Sequence, residues 1–147
     1  MNQGVETPGY TSEPEVDRYQ RLAKTLASYT EKVKKSFVER ANLDEETADL
    51  LALSSTFLYP ASKLAGEAGE VAEKLAKLTR DKGICLYEDI PSEDRTALVK
   101  ELGDVLWYVS DIASNLGVPL SQVMEANLEK LFGRKERGTL SGDGDDR

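Results

Sequence analysis

Apolar residues recur at intervals of three and four along most of the chain, and this spacing predicts α-helices. The clearest runs are Leu64 to Leu78 and Leu98 to Leu116, where apolar positions alternate steps of four and three. No stretch sustains the alternating pattern of a strand. The predicted helices span about residues 12–40, 45–58, 60–82, 92–116 and 119–134. The pattern therefore predicts an all-α fold that resembles a four-helix bundle, with four main helices plus a short one.

Turn and capping residues divide the chain into three parts. We expect a flexible leader at residues 1–11, a helical domain at 12–136 and an extended Gly/Asp-rich arm at 137–147. Ser12 and Glu15 have the spacing of a capping box at the start of the first helix, and Asp44 is the predicted N-cap of the second. Gly83 is expected to end the third helix. The loop at 83–91 should be held by two apolar anchors, Ile84 and Leu86.

Composition removes several classes of function. The chain has 147 residues and 39% hydrophobic content, which suits one domain. It has no histidine and a single cysteine, Cys85, so Ser-His-Asp catalysis, histidine-ligated zinc and multi-cysteine clusters are excluded. A net charge of −8 disfavours nonspecific nucleic-acid binding. With no signal-peptide core and no apolar run long enough to span a bilayer, we expect a cytoplasmic protein with no membrane partner.

Two acid pairs stand in the same relation to the two longest apolar patterns. Glu67 and Glu70 each precede an apolar position of the third helix, and Glu101 and Asp104 do so in the fourth. Residues three apart share a helix face, so packing of these helices would bring four carboxylates together. Such a group repels itself or recruits cations, and oxygen ligands without histidine or cysteine suit Mg²⁺, with Mn²⁺ as a possible substitute.

The alternative is a solvated acidic face, which is common in a chain with 27 acids. Three glycines inside these helices, Gly66, Gly69 and Gly103, favour the ligand site, because each costs about 1 kcal/mol relative to alanine. They suggest a close backbone approach or room for a ligand. Spacing alone leaves both interpretations open.

Basic and amide side chains could hold an anionic substrate beside these acids. Lys74 and Lys77 continue the acidic stripe of the third helix, where ordinary i, i+4 pairs with Glu70 and Glu73 are the alternative. On the last helix, Asn127 falls among Leu120, Met124 and Leu131, and an amide on an apolar face needs partners. Lys130 and Arg134 follow it on the same stripe and could bind phosphate oxygens. Tyr59, Trp107 and Tyr108 could stack on a base, although core aromatics are the default.

These motifs together resemble the MazG-type all-α nucleoside triphosphate pyrophosphohydrolases. Glu67-Ala-Gly-Glu70 with Glu101-Leu-Gly-Asp104 is similar to the paired Glu-x-x-Glu and Glu-x-x-Asp signature of that family. Wider similarity covers residues 63–81, 100–118 and 126–147, and VDRYQRLA at 16–23 is similar to the opening helix. The segment between the acid pairs is slightly longer than usual, and residues 41–56 have no clear counterpart.

The resemblance implies hydrolysis of a (d)NTP between its α and β phosphates, giving a monophosphate and pyrophosphate. It implies that Glu67, Glu70, Glu101 and Asp104 ligate Mg²⁺ and act in catalysis. Asn127, Lys130 and Arg134 match positions near the triphosphate, and Lys77 is a further candidate for substrate binding. The resemblance also implies a homodimer or homotetramer.

Two alternatives stay open from the sequence. A related pyrophosphatase could use the same acids on phosphoribosyl-ATP, an alarmone or a modified nucleotide. A helical interaction module without catalysis is the alternative of another class, although such a module has no need of the four acids.

Overall fold

The fold consists entirely of helices and turns over residues 13–139, the part of the chain that the computed structural model describes. The side chain of residue 54 is outside that description. One turn of 3-10 helix, Tyr87–Asp89, lies between the third and fourth helices. The five α-helices of the described residues are α1 Glu15–Lys24, α2 Tyr29–Ala41, α3 Glu45–Lys82, α4 Ser92–Asn115 and α5 Leu120–Glu136. The all-α class is confirmed, and the division into helices differs from the predicted one.

The predicted helix at 12–40 is two helices. Its apolar spacing continues across the break, so periodicity did not reveal it. Residues 25–27 instead form successive i to i−3 backbone hydrogen bonds after α1, the tighter pattern that ends many helices. At the other end α1 begins behind Pro14 without a side-chain cap. The capping-box prediction involves Ser12, which lies outside the described residues, as do residues 1–11 and most of the arm.

The predicted second and third helices are one. α3 runs for 38 residues with Pro60 inside it, so the prediction of a helix boundary at this proline is wrong. Asp44 caps α3 as predicted, because its side chain accepts a hydrogen bond from the Thr47 amide at 2.9 Å. Gly83 ends it in the left-handed conformation, φ 66°.

Pro60 is tolerated because the helix bond it removes is replaced from outside. Proline has no N–H, so the carbonyl of Thr56, four residues earlier, loses its partner within α3. The Asn115 amide of α4 donates to that carbonyl at 2.7 Å. Asn115 belongs to a network around the buried carboxylate of Asp111, which accepts from Lys24 at 2.8 Å and from the Tyr29 hydroxyl at 3.0 Å. The network joins α1, α2, α3 and α4.

A compact apolar cluster closes one end of the α3–α4 pair. Leu78, Ile90 and Leu98 are buried there, and Val71, Leu75 and Ile84 pack against them. Ile84 anchors the loop as predicted. Leu86 is 62% exposed, so the second anchor is Ile90 and the prediction for Leu86 is wrong. Ile90 has this place because it stands directly before Pro91 and the start of α4.

Several helices keep apolar faces exposed within this single chain. Among the described residues, α4 packs against α3 and α1, whereas α5 contacts α1 and α4 alone. Leu102 and Leu116, predicted members of the α4 apolar pattern, are 53% and 63% exposed. The apolar face predicted for α5 is covered at Leu120 and uncovered beyond it, since Leu120 is buried while Met124 and Leu131 are 52% and 39% exposed. Among the described residues, no helix is long and apolar enough to cross a membrane.

Candidate active site

Three of the four predicted acids meet where α3 packs on α4. One carboxylate oxygen each of Glu67, Glu101 and Asp104 lies within 4.8 Å of the others. We call these three residues the carboxylate cluster. Solvent exposure increases across the cluster: Glu67 is buried, Glu101 is half-buried and Asp104 is exposed. Oxygen ligands with one side open to solvent can hold a hard divalent cation and admit a substrate.

The fourth acid, Glu70, lies outside the cluster. It is one helical turn from Glu67 on α3 and is exposed. Its spacing places it on the same side of the helix, but its oxygens do not join the other three. The structure thus brings together three of the acids that spacing grouped, and keeps one at the rim.

Two lysines neutralise the deeper members of the cluster. Lys63 contacts Glu67 at 2.8 Å from one turn earlier on α3, and Glu67 raises the pKa of this lysine. Lys74 reaches across from α3 and contacts Glu101 of α4 at 3.3 Å. The suggested ordinary pair of Lys74 with Glu70 is therefore wrong. Lys77 forms its ordinary pair with Glu73 at 2.7 Å and lines a groove with Lys74 and Lys82.

Aromatic side chains border the cluster on two sides. Tyr108 is buried, and the Lys63 ammonium lies 5.9 Å from its ring centre. Desolvation, together with Tyr59, raises the pKa of Tyr108 to about 12. On α1, partial burial and then the Asp104 carboxylate raise the pKa of Tyr19. The rings of Tyr59 and Tyr29 stack at 4.8 Å.

The interior glycines leave open space. A Cβ added at Gly66, Gly69 or Gly103 would meet nothing within 4 Å among the atoms outside its own helical turn. The expectation of a close backbone approach is therefore wrong for this chain by itself. The other expectation, room for a ligand, stays a prediction.

The residues predicted on α5 form a separate surface. Asn127 and Lys130 are exposed and line an open groove with Gln122 and Val118, and none of the cluster carboxylates lines it. Asn127 is thus not a buried amide on a covered apolar face, which corrects that expectation. Arg134 is buried near the end of the helix.

Two residues near the cluster, Lys63 and Tyr19, had no predicted role, and a third, Lys74, was predicted with a different partner. Lys63 could have been found, because it stands four residues before Glu67 on one helix. Lys74 has two acids within reach, and only the packing of α4 selects Glu101. Tyr19 carried no local signal, since its approach to Asp104 depends on how α1 crosses α4.

Comparison with known proteins assigns the family. The model of the MazG nucleotide pyrophosphohydrolase domain matches residues 55–139, which include all four acids. This chain belongs to the MazG family. The match begins within α3 and continues to the end of the described residues, so it covers the α3–α4 pair and α5.

Two relatives match over most of their own length. The Gene 37 protein of Mycobacterium phage L5 is 43% identical over 112 residues, which are 66% of this chain and 94% of that protein. A phosphoribosyl-ATP pyrophosphatase of Methylobacterium nodulans is 33% identical over 90 residues, 61% of this chain and 79% of that enzyme. No solved structure matches the chain significantly. The MazG-like chain is thus a member of a nucleotide pyrophosphohydrolase family.

Proposed function

We propose that this MazG-like protein is a Mg²⁺-dependent pyrophosphohydrolase that cleaves (d)NTPs between the α and β phosphates. The observation that carries the proposal is the convergence of Glu67, Glu101 and Asp104 within the region that matches the family. The products would be a monophosphate and pyrophosphate.

The donor set supports Mg²⁺, with Mn²⁺ as a substitute. Every side chain of the carboxylate cluster offers oxygen, the ligand that hard cations prefer. When bound, the ion would neutralise phosphate charge and lower the pKa of an attacking water. Glu67, Glu101 and Asp104 would hold it, whereas Glu70, which lies outside the cluster, would act on the attacking water instead of binding the metal.

The remaining residues have roles that their positions allow. Glu70, exposed beside the cluster, is the carboxylate best placed to take the proton of the attacking water. Lys77, Asn127, Lys130 and Arg134 stay predicted substrate-binding residues, since phosphoryl transfer depends on positioning and charge stabilisation.

A homodimer or homotetramer would complete the site. The α5 groove with Asn127 and Lys130 includes none of the cluster acids of its own chain, so we propose that a neighbouring chain brings such residues to the substrate. The uncovered faces of α3, α4 and α5 support this assembly. We retain the cytoplasm as its proposed location, with no nucleic-acid or membrane partner.

A second candidate is hydrolysis of phosphoribosyl-ATP, because one matched relative is a phosphoribosyl-ATP pyrophosphatase. The same carboxylates would act on the same kind of bond. An alarmone or a modified nucleotide remains a further substrate candidate, and a non-catalytic helical module is the alternative of another class.

Pyrophosphate release from the eight common NTPs and dNTPs tests the proposal. We expect pyrophosphate and monophosphate in equal amounts with Mg²⁺ and none with a chelator. Asp104→Asn should lower the rate by about 100-fold or more while leaving the helical circular dichroism unchanged. Release of orthophosphate in place of pyrophosphate would show that the enzyme does not cleave between the α and β phosphates. Turnover of phosphoribosyl-ATP alone would select the second candidate. No turnover of any nucleotide, with no Mg²⁺ or Mn²⁺ bound, would favour the module.

A further inference from the structure

We infer that Lys63 and Lys74 are resident counter-cations of the metal ligands, which keep affinity for the bare metal weak and favour its loading together with phosphate. The inference rests on the proposed function, because it concerns the order in which that site fills. It assigns a role to Lys63, which belongs to no predicted motif, and a new role to Lys74, which was predicted only as a neighbour of the acids.

The first step is charge. Three carboxylates within 4.8 Å carry a formal charge of −3, and like charges so close repel strongly when partly buried. The ammonium groups of Lys63 and Lys74 contact the two deepest members at 2.8 and 3.3 Å. The side chains of those members, Glu67 and Glu101, are only 11% and 16% exposed. Each of the two least accessible acids therefore has its own cation, while the open Asp104 is accessible to solvent.

The second step is competition. A divalent cation on the cluster would need the oxygens that the ammonium groups contact, and it would repel both of these groups. Bare metal therefore binds against two positive charges, which lowers its affinity. A nucleotide triphosphate reverses this balance, because its phosphate oxygens attract the metal and offer the displaced lysines new anionic partners.

The third step is freedom of movement. The side chains of Lys63 and Lys74 are 41% and 38% exposed, so solvent is available to the released ammonium groups. Lysine carries its charge on a flexible stem and can follow a phosphate over several ångströms. Lys63 and Lys74 would thus act as counter-cations of the carboxylates when no metal is bound, and would help to position the phosphates when the metal–nucleotide complex is bound.

The test measures Mn²⁺ binding to the full chain by electron paramagnetic resonance, first without nucleotide. We expect Lys63→Gln and Lys74→Gln each to tighten Mn²⁺ binding about three- to thirtyfold. Lys82→Gln is the matched control, because it removes the same charge from the same helix but from a pair with Asp94, outside the cluster. Its Kd should stay within about twofold of the wild type. Lys→Arg at positions 63 and 74 should restore weak binding, since arginine keeps the charge.

A second measurement adds a non-hydrolysable α,β-methylene dNTP. The Gln variants should bind the Mn²⁺–nucleotide complex about tenfold more weakly than the wild type, in the direction opposite to their effect on bare Mn²⁺. A merely structural role for the lysines would weaken both. Lys→Met variants at the same positions keep the apolar stem and replace any Gln variant that fails the circular dichroism check.

Unchanged or weaker binding of bare Mn²⁺ in both Gln variants would overturn the inference, as would undetectable binding in every variant. A shift in only one variant would overturn it for the other lysine. Wild-type turnover is measured in parallel. Turnover without the expected shifts would refute the counter-cation role alone, whereas the shifts without turnover would refute the proposed function alone.

Discussion

Glu67 and Glu70 differ in environment although one helical turn separates them. Glu67 is buried against α4 and contacts Lys63, whereas Glu70 is exposed and outside the carboxylate cluster. A buried carboxylate with fixed partners is suited to hold a cation, and a rim carboxylate is suited to accept a proton. The two acids of one motif are therefore expected to contribute differently.

Substitution should separate these contributions. We expect Glu101→Gln to weaken Mn²⁺ binding by about tenfold or more, because it removes an anionic ligand and leaves Lys74 unpaired beside the site. Glu70→Gln should lower kcat by about 100-fold with Mn²⁺ affinity changed less than threefold. Single-turnover rates and metal titrations on the same preparations check both. A tenfold loss of metal affinity in Glu70→Gln would instead make Glu70 a ligand.

Spacing along the chain grouped the four acids, because residues three apart share a helix face, and three of the four lie together in the structure. It was insufficient to rank them, since the burial of Glu67 and the exposure of Glu70 depend on the angle at which α4 crosses α3. The same limit applies to Lys74, whose partner on α4 is remote in sequence.

At the scale of elements, the interior proline of α3 frees a carbonyl that becomes part of a hydrogen-bond network joining four helices. Pro60 leaves the Thr56 carbonyl without its helical partner, and Asn115 supplies one at 2.7 Å. Asn115 also accepts from Lys24 at 2.6 Å, so the same side chain reaches the Asp111 network. A local loss in one helix is thus compensated by α4.

A double-mutant cycle tests this compensation. Asn115→Ala should lower the free energy of unfolding by about 2 kcal/mol, because it leaves polar groups without partners. In a Pro60→Ala background the N–H at position 60 can satisfy Thr56, so the same substitution should cost at least about 0.5 kcal/mol less. Urea denaturation of the four proteins measures the coupling. Gln20→Ala, whose bonds go to α4 and α5 and not to α3, should be additive with Pro60→Ala; additivity for Asn115 would refute the compensation.

Periodicity and caps predicted the helical class and some helix ends, such as those of α3 at Asp44 and Gly83. They failed at two joints. The break after Lys24 carries neither glycine nor proline and does not interrupt the apolar spacing, while Pro60 is a breaker that tertiary hydrogen bonds override. At Pro60 the replacement hydrogen bond comes from Asn115 of α4, a contact that no local pattern contains.

On the scale of the whole molecule, exposed apolar residues form faces and are not scattered. Leu50, Leu53 and Phe57 repeat at helical spacing on α3 and are 56–66% exposed. On α5, Met124, Leu128 and Phe132 repeat in the same way at 52–59%. Contiguous apolar faces of this kind mark protein–protein contacts.

We expect a mass in solution that is two or four times the 16.2 kDa of the chain, measured by light scattering after size exclusion. Leu53→Glu and Leu128→Glu should shift the protein toward 16.2 kDa, because each places a charge in an apolar face that the proposed assembly would bury. Leu86→Glu is the control, since Leu86 is as exposed but lies in the loop before α4. A wild-type monomer at micromolar concentration would refute the proposed assembly.

The length of α3 has a consequence for how this chain can vary. Its 38 residues form a rod of about 57 Å, with the apolar face near its start and the carboxylates in its second half. Each residue inserted between Phe57 and Glu67 would rotate one surface about 100° relative to the other. Single insertions and deletions between Phe57 and Glu67 should therefore abolish catalytic activity. An insertion should be tolerated between Cys85 and Leu86, because both residues are exposed and follow the anchor Ile84.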